Sequence, residues 1–143
     1  MRLIKKIFAL IASLIMIVSS FVSCALFKGD PNDRSVRYEI TEDKKSVTFY
    51  ASADSKAFSR WYFQNEDASV ISAETNDWTE KGIARVSLSK KITGLKAGET
   101  YIAFYIPSAA QDYTIIFGYN ISVDPLGQIT VEEAESDSMI GKE

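Results

Sequence analysis

The sequence predicts an antiparallel β-sandwich of about seven strands, preceded by a short amino-terminal signal segment. Apolar and polar residues alternate repeatedly with a period of two after residue 34, which is typical of strands with one buried face. Gly, Pro, Asn and Asp residues separate these segments, as expected of turns. No segment after residue 24 keeps a helical period, and the chain contains no internal repeat.

The first two strands are expected at residues 35–40 and 46–53, joined by a polar turn at 41–45. Their alternation gives each strand one apolar face. The two strands therefore read as neighbours in one sheet with a single buried side.

A third strand is expected at residues 58–64, with Trp61 and Phe63 on one face and Tyr62 on the other. A large ring in the third strand is typical of a sandwich core. We therefore place Trp61 inside the molecule. The remaining strands are expected at residues 70–73, 83–88, 101–105, 113–123 and, as a short edge strand, 128–131.

The most specific internal stretch is ITGLKAGETYIAFY, residues 92–105. It resembles the loop and following strand of fibronectin type III and related bacterial immunoglobulin-like domains. The resemblance implies that Leu95 fills the bottom of the core and that Gly98 permits a tight turn. It also implies that Tyr101 hydrogen-bonds across the corner while its ring stays buried. Such a resemblance predicts a fold, and a fold does not specify a function.

The amino terminus has the pattern of a secretory signal. Basic residues precede an uncharged run of 16 residues, 7–22, which is shorter than the roughly 20 that span a hydrocarbon core. The tetrapeptide Phe21-Val22-Ser23-Cys24 follows and resembles the lipobox of bacterial lipoproteins. The resemblance implies cleavage before Cys24, a diacylglyceryl thioether on its sulfur, and acylation of the new amino terminus, for instance by palmitate. An uncleaved membrane helix with an incidental cysteine is the alternative.

These features divide the chain into four parts. We expect a lipoprotein signal peptide at residues 1–23, a lipid-anchored linker at 24–34, the β-sandwich domain at 35–131 and an acidic disordered tail at 132–143. The lipobox resemblance places the protein in the bacterial cell envelope. Since the residues after the cysteine are not acidic, it implies the outer membrane where the organism has one, with the domain in the periplasm or at the cell surface.

The composition excludes several classes of protein. The chain has no histidine, and its one cysteine is expected to carry lipid, which excludes Ser-His-Asp catalysis, Cys/His zinc sites and a disulfide within the fold. The signal holds three of the 16 basic residues and none of the 19 acidic ones. The mature chain therefore has 13 against 19, a net charge of −6, which argues against nucleic-acid binding. We expect no cofactor and no metal.

Trp78, in a polar loop, and Tyr62 are the candidate ligand contacts. Together with outward-facing residues of 101–105 they could make a flat patch for sugar rings or for a protein partner. The competing interpretation is that the rings simply fill the core. Carboxylates in the expected turns are candidate Ca²⁺ ligands or acid/base pairs, although most such residues are only solvated. They are Asp43, Glu66, Asp67, Asp77, Glu80 and Asp112.

The leading hypothesis is a non-enzymatic lipoprotein, held on its membrane by lipid at Cys24, that serves as a binding or structural module for an unknown protein or glycan partner. One alternative is a carbohydrate-binding module, which requires coplanar exposed rings including Trp78. The other is a carboxylate-dependent hydrolase, which requires two acids in a concave pocket.

Overall fold

The computed structural model describes residues 29–76, 78 and 84–141. They form an all-β sandwich of two antiparallel four-stranded sheets, as the alternation predicts. The eight strands are β1 (Arg34–Ile40), β2 (Ser46–Asp54), β3 (Tyr62–Asn65), β4 (Ile71–Asn76), β5 (Arg85–Gly94), β6 (Gly98–Pro107), β7 (Tyr113–Val123) and β8 (Ile129–Gly141).

One sheet has the strand order β1-β2-β5-β4 and the other β3-β6-β7-β8. Every pairing between neighbouring strands is antiparallel. The chain changes sheet between β2 and β3, between β3 and β4, and between β5 and β6. These crossings place residues that are distant in sequence on one shared surface.

The core lies between the two sheets. Phe49 of β2 packs against Phe104 of β6 and Tyr119 of β7, with ring centroids 5.3 and 5.0 Å away. Trp61 is buried, as predicted, and its Nε1–H donates to the Val86 carbonyl oxygen at 3.1 Å. The indole N–H, the only polar group of this side chain, therefore has a hydrogen-bond acceptor inside the protein.

The third strand is shorter than the predicted 58–64, because regular pairing with β6 starts only at Tyr62. Phe58 makes an isolated bridge with Ser108 instead. The fifth strand is longer than predicted and continues through its lysines to Gly94. Lys90 belongs to it because β5 is paired on both sides, with Phe49 of β2 and Thr75 of β4 opposite this residue. The Lys90 Nζ also donates to Thr75 Oγ1 at 2.6 Å.

The prediction of a disordered tail from residue 132 is wrong for residues 132–141, which belong to β8 and pair with β7. The reason is that β7 is 11 residues long and presents a full edge. An edge strand can carry many charges, since the side chains that do not face the core point into water. The register shifts around Gly118, and Asp137 has a positive φ of 53°, so the strand is irregular.

The prediction of a linker at residues 24–34 is also wrong for residues 29–34, the part of it that the structure describes. Residues 29–33, here called the lead-in segment, are held on the sandwich. The Asp30 N–H donates to Asp54 Oδ2 at 2.8 Å, and the Asp54 N–H donates to the Asp33 carbonyl oxygen at 3.0 Å. Arg85 forms an ion pair with Asp33. The segment is therefore part of the domain.

Two expectations from the resemblance at residues 92–105 are wrong. Leu95 does not fill the core, since 59% of it is exposed in the turn between β5 and β6. Tyr101 does not cross a corner. Its side chain lies on the outer face of the β3-β6-β7-β8 sheet, where a Cβ on Gly118 would stand 2.8 Å from its ring carbons. The missing side chain at Gly118 is what makes room for this ring.

Among the residues that the structure describes, no helix is long and apolar enough to cross a membrane.

Candidate functional site

The sandwich has two ends that differ in what they carry. The proximal end holds the lead-in segment, the β6–β7 loop (residues 108–112) and the last residues of β8. The Ala109 N–H donates to the Ala57 carbonyl oxygen at 3.0 Å, which joins that loop to the β2–β3 connection. The distal end holds the turns at 41–45, 95–97 and 124–128, where the Ile129 N–H donates to the Lys44 carbonyl oxygen at 2.7 Å.

Cys24, the predicted lipidation site, lies outside the described residues. The first described residue, Gly29, follows it by five positions and belongs to the proximal end.

Tyr62 lies on the outer face of the β3-β6-β7-β8 sheet, 36% exposed. Its ring stacks on that of Tyr105 with centroids 5.2 Å apart and planes 8° from parallel. The Arg60 guanidinium carbon lies 4.7 Å from the centroid of the Tyr62 ring. Each ring therefore covers one face of the other, and the two rings do not lie side by side as a flat platform.

Trp78 lies on the opposite side of the molecule. It is half-buried, and its ring meets that of Tyr50 edge to face at 5.1 Å. Tyr50 is on the outer face of the other sheet, since its neighbour Phe49 points into the core. A single aromatic patch containing both Tyr62 and Trp78 is therefore a wrong prediction, because the two residues sit on different sheets.

A groove that the sequence did not reveal crosses the distal half of the outer face of the β3-β6-β7-β8 sheet. We call it the acidic groove. Its volume is about 380 Å³, and among the described residues no basic side chain lines it. The lining residues are Glu66, Glu99, Thr100, Tyr101, Asn120, Ser122 and Glu132.

Three strands of this sheet and the residue that follows β3 contribute to the acidic groove. Glu66 follows β3, while Glu99, Asn120 and Glu132 are exposed positions of β6, β7 and β8. Of its three acids, only Glu66 was a candidate from the sequence. The period of two in the sequence indicates which residues of each strand point outward. It does not indicate which outward residues of different strands lie together, because that depends on the strand order.

Tyr101 borders the acidic groove and is tied to β8. Its hydroxyl donates to Glu135 Oε2 at 3.1 Å. Burial raises the pKa of Tyr101, and the hydrogen bond to Glu135 and the charge of that carboxylate raise it further. The phenol therefore stays protonated at neutral pH and acts as a donor. The groove offers carboxylates, an amide and hydroxyl groups, which suit a polar or cationic ligand group.

The acids in the turns hold the turns themselves. Asp43 accepts hydrogen bonds from the Thr41 hydroxyl and the Lys45 N–H, and these lower its pKa in that order. The pKa of Asp67 is lowered by bonds from the hydroxyl and the N–H of Ser69. Such local bonding is the usual role of Asp in a turn.

Of the other turn acids, Asp112 is exposed in the β6–β7 loop, and Asp77 and Glu80 lie outside the described residues. Within the described ranges, no group of three or more His, Cys, Asp or Glu residues is arranged to hold a metal ion.

A second, more apolar depression of about 240 Å³ lies at the proximal end. It is next to the point where the chain enters the domain. Its lining residues are Gly29, Pro31, Ala57, Ser108, Ala110, Gln111 and Tyr113.

Comparisons of the chain with protein-family models, with curated proteins and with solved structures find no match.

Proposed function

We propose that this protein is a lipid-anchored bacterial envelope lipoprotein whose single immunoglobulin-like domain is a non-enzymatic binding or structural module. The observation that carries the proposal is the position of Cys24. It is the chain's only cysteine, it ends a signal-like apolar run, and it precedes the hydrogen-bonded lead-in segment by only a few residues. Two or three acyl chains on one residue make a stable membrane anchor, whereas one does not.

The strand order supports the immunoglobulin-like assignment. Constant-type immunoglobulin domains have strands A, B, E and D in one sheet and C, F and G in the other. With β1 to β7 as A to G, the order β1-β2-β5-β4 and β3-β6-β7 is the same. On this assignment β8 is an additional strand beside G.

The chemistry of the described residues favours a non-enzymatic role. The sequence has no histidine to act as a base near neutral pH. Asp43 and Asp67 are engaged in their own turns. A carboxylate pair divides the acid and base roles when an apolar setting or a second carboxylate close by raises the pKa of one carboxyl. The acidic groove is lined mainly by polar residues, so it lacks the apolar setting.

The aromatic geometry gives less support to a carbohydrate-binding module. Sugar rings stack on exposed, coplanar aromatic faces. Tyr62 and Tyr105 stack on one another, and Trp78 packs against Tyr50 on the other sheet. Binding of a protein partner or a structural role fits this surface better.

Acylation in living bacteria tests the proposal. Cells that express the full chain are grown with an alkyne analogue of palmitate, and the purified protein is assayed for the alkyne. We expect incorporation into the wild type and into Ser23→Ala, which keeps a small residue before the cysteine. Cys24→Ser should carry none. Equal labelling of Cys24→Ser, or no labelling of the wild type, would rule out the anchor.

A further inference from the structure

We propose that the proximal end of the sandwich rests against the lipid bilayer and that the distal end, with the acidic groove, points away from it. The partner of the proximal end is thus a membrane surface. This inference rests on the proposed lipid anchor at Cys24 and adds to it a fixed orientation of the domain.

The path of the chain into the domain is fixed by its contacts. Asp54 Oδ2 accepts the Asp30 N–H, and Gly29, at a φ of +70°, lies so close that a Cβ on it would stand 2.7 Å from Lys56 Cβ and 2.9 Å from the Ala57 nitrogen. Arg34, at the start of β1, pairs with Asp137 at 2.6 Å. The chain therefore leaves the domain toward Cys24 from the proximal end.

The tether is short compared with the domain. Five residue steps from Cys24 to Gly29 span at most about 18 Å, even when fully extended. The 11 residues of β7 run from the proximal to the distal end and cover roughly 33 Å. The lipid therefore holds the proximal end near the bilayer, and the distal end can reach the bilayer only if the domain lies on its side.

The chemistry of the surfaces opposes lying on the groove side. The outer face of the β3-β6-β7-β8 sheet carries Glu66, Glu99 and Glu132 in the acidic groove. An anionic membrane surface repels such a face at distances up to about a Debye length, roughly 8 Å at physiological salt.

Exposed apolar side chains do not distinguish the two ends, since Met139 (62%) and Ile140 (56%) at the proximal end are matched by Leu126 (73%) and Leu95 (59%) at the distal end. The apolar depression beside Gly29 lies at the proximal end, where the short tether holds the domain near lipid. Exposed apolar groups gain free energy when they enter the boundary region of a bilayer.

A single-thiol quenching experiment tests the orientation. In the acylated protein the sulfur of Cys24 is a thioether, so a cysteine introduced elsewhere is the only free thiol. Met139→Cys and Ile140→Cys report on the proximal end. Leu126→Cys (73% exposed) and Leu95→Cys are matched controls at the distal end. Each is labelled with a fluorophore in full-length, membrane-extracted protein, which is then reconstituted into vesicles containing phosphatidylglycerol and nitroxide-labelled lipid.

We expect the nitroxide lipid to quench the labels at 139 and 140 at least several-fold more strongly than those at 126 and 95. Equal quenching at both ends, or stronger quenching at the distal end, would overturn the orientation. The intact mass of the same samples separates the two proposals. An acylated Cys24 with equal quenching refutes the orientation alone, and a Cys24 without acyl mass refutes the anchor and the orientation together.

Discussion

At the scale of single residues, the contact between Tyr101 and Gly118 organises the outer face of the β3-β6-β7-β8 sheet. The ring lies over the glycine, and its hydroxyl reaches Glu135 on the next strand. One side chain thus links β6 to β8 across β7. It does so only because β7 has no Cβ at that point.

We predict that Gly118→Ala lowers the free energy of unfolding by about 1–3 kcal/mol, the usual cost of overpacking. The new methyl group would displace the Tyr101 ring and break its bond to Glu135. Urea unfolding measures the change. Gly141→Ala is the matched control, because the nearest atom to its Cβ, the Asp112 carbonyl oxygen, is 4.0 Å away.

A double mutant makes this test specific. In a Tyr101→Ala background the space above Gly118 is open, so Gly118→Ala should cost much less than in the wild type. An unchanged cost in that background would mean that the ring is not what the methyl group meets.

At the scale of elements, β8 differs most from what its sequence indicates. Its acidic residues resemble a solvated tail, yet the strand pairs with β7 to Gly141 and supplies Asp137 to the ion pair with Arg34. The charge run has no apolar alternation that would predict a strand. The strand forms because β7 offers a free edge. Nothing in the local sequence of residues 132–141 indicates that edge.

Truncation distinguishes a strand from a tail. We predict that a chain ending at Glu135 loses roughly 2–4 kcal/mol of unfolding free energy, because it loses the ladder beside residues 113–116 and the partner of Arg34. A chain ending at Gly141 is the control and should match the wild type. If both truncations unfold like the wild type in urea, β8 beyond Glu135 is a tail.

The lead-in segment is the second element that the sequence did not assign to the domain. Its Gly and Pro residues suggest a flexible tether, but Asp54 binds it. The bonds from the N–H groups of Asp30 and then Lys56 lower the pKa of Asp54, so its carboxylate is charged and a strong acceptor at neutral pH.

We predict that Asp54→Ala frees this segment. Amide hydrogen exchange at Asp30 and Asp33 should accelerate at least several-fold, while the core amides of β6 and β7 keep their protection. Ser59→Ala, which removes a hydroxyl elsewhere at the proximal end, is the control. Unchanged exchange at Asp30 would contradict the structural role given to Asp54.

At the scale of the whole molecule, stability should be independent of pH across a wide range, because the chain has no histidine to titrate near neutrality. At acid pH, the change in stability depends on the lowered pKa values of Asp43, Asp54 and Asp67. Their contribution is present above the ordinary Asp pKa of about 4 and is lost as the pH falls through the folded-state values.

On the alkaline side, burial raises the pKa of Tyr119 to about 12, with further contributions from Glu133 and Tyr38. The ordinary pKa of tyrosine is about 10. The contribution of neutral Tyr119 to the free energy of unfolding is therefore complete below pH 10 and is lost as the pH rises towards 12. We predict that Tyr119→Phe reduces this alkaline loss in urea unfolding. An equal alkaline loss in the wild type and in Tyr119→Phe would contradict the assignment to Tyr119.

Much of the fold follows from the sequence, whereas the surface does not. Alternation along β1, β2 and β7 predicted those strands, and alternation in residues 58–64 predicted a buried Trp61, because burial acts on each residue through a local period. The acidic groove joins outward positions of different strands, and a period of two says nothing about strand order. The grouping of Trp78 with Tyr62 was wrong for the same reason, since the sheet against which a loop packs depends on topology.

The intact mass of the protein purified from bacterial membranes shows whether the proposed anchor at Cys24 exists. The anchor predicts a chain that begins at Cys24 and carries the added mass of a diacylglyceryl group and of a further acyl chain. A chain that retains residues 1–23, or one that begins at or after Cys24 without acyl mass, would contradict it.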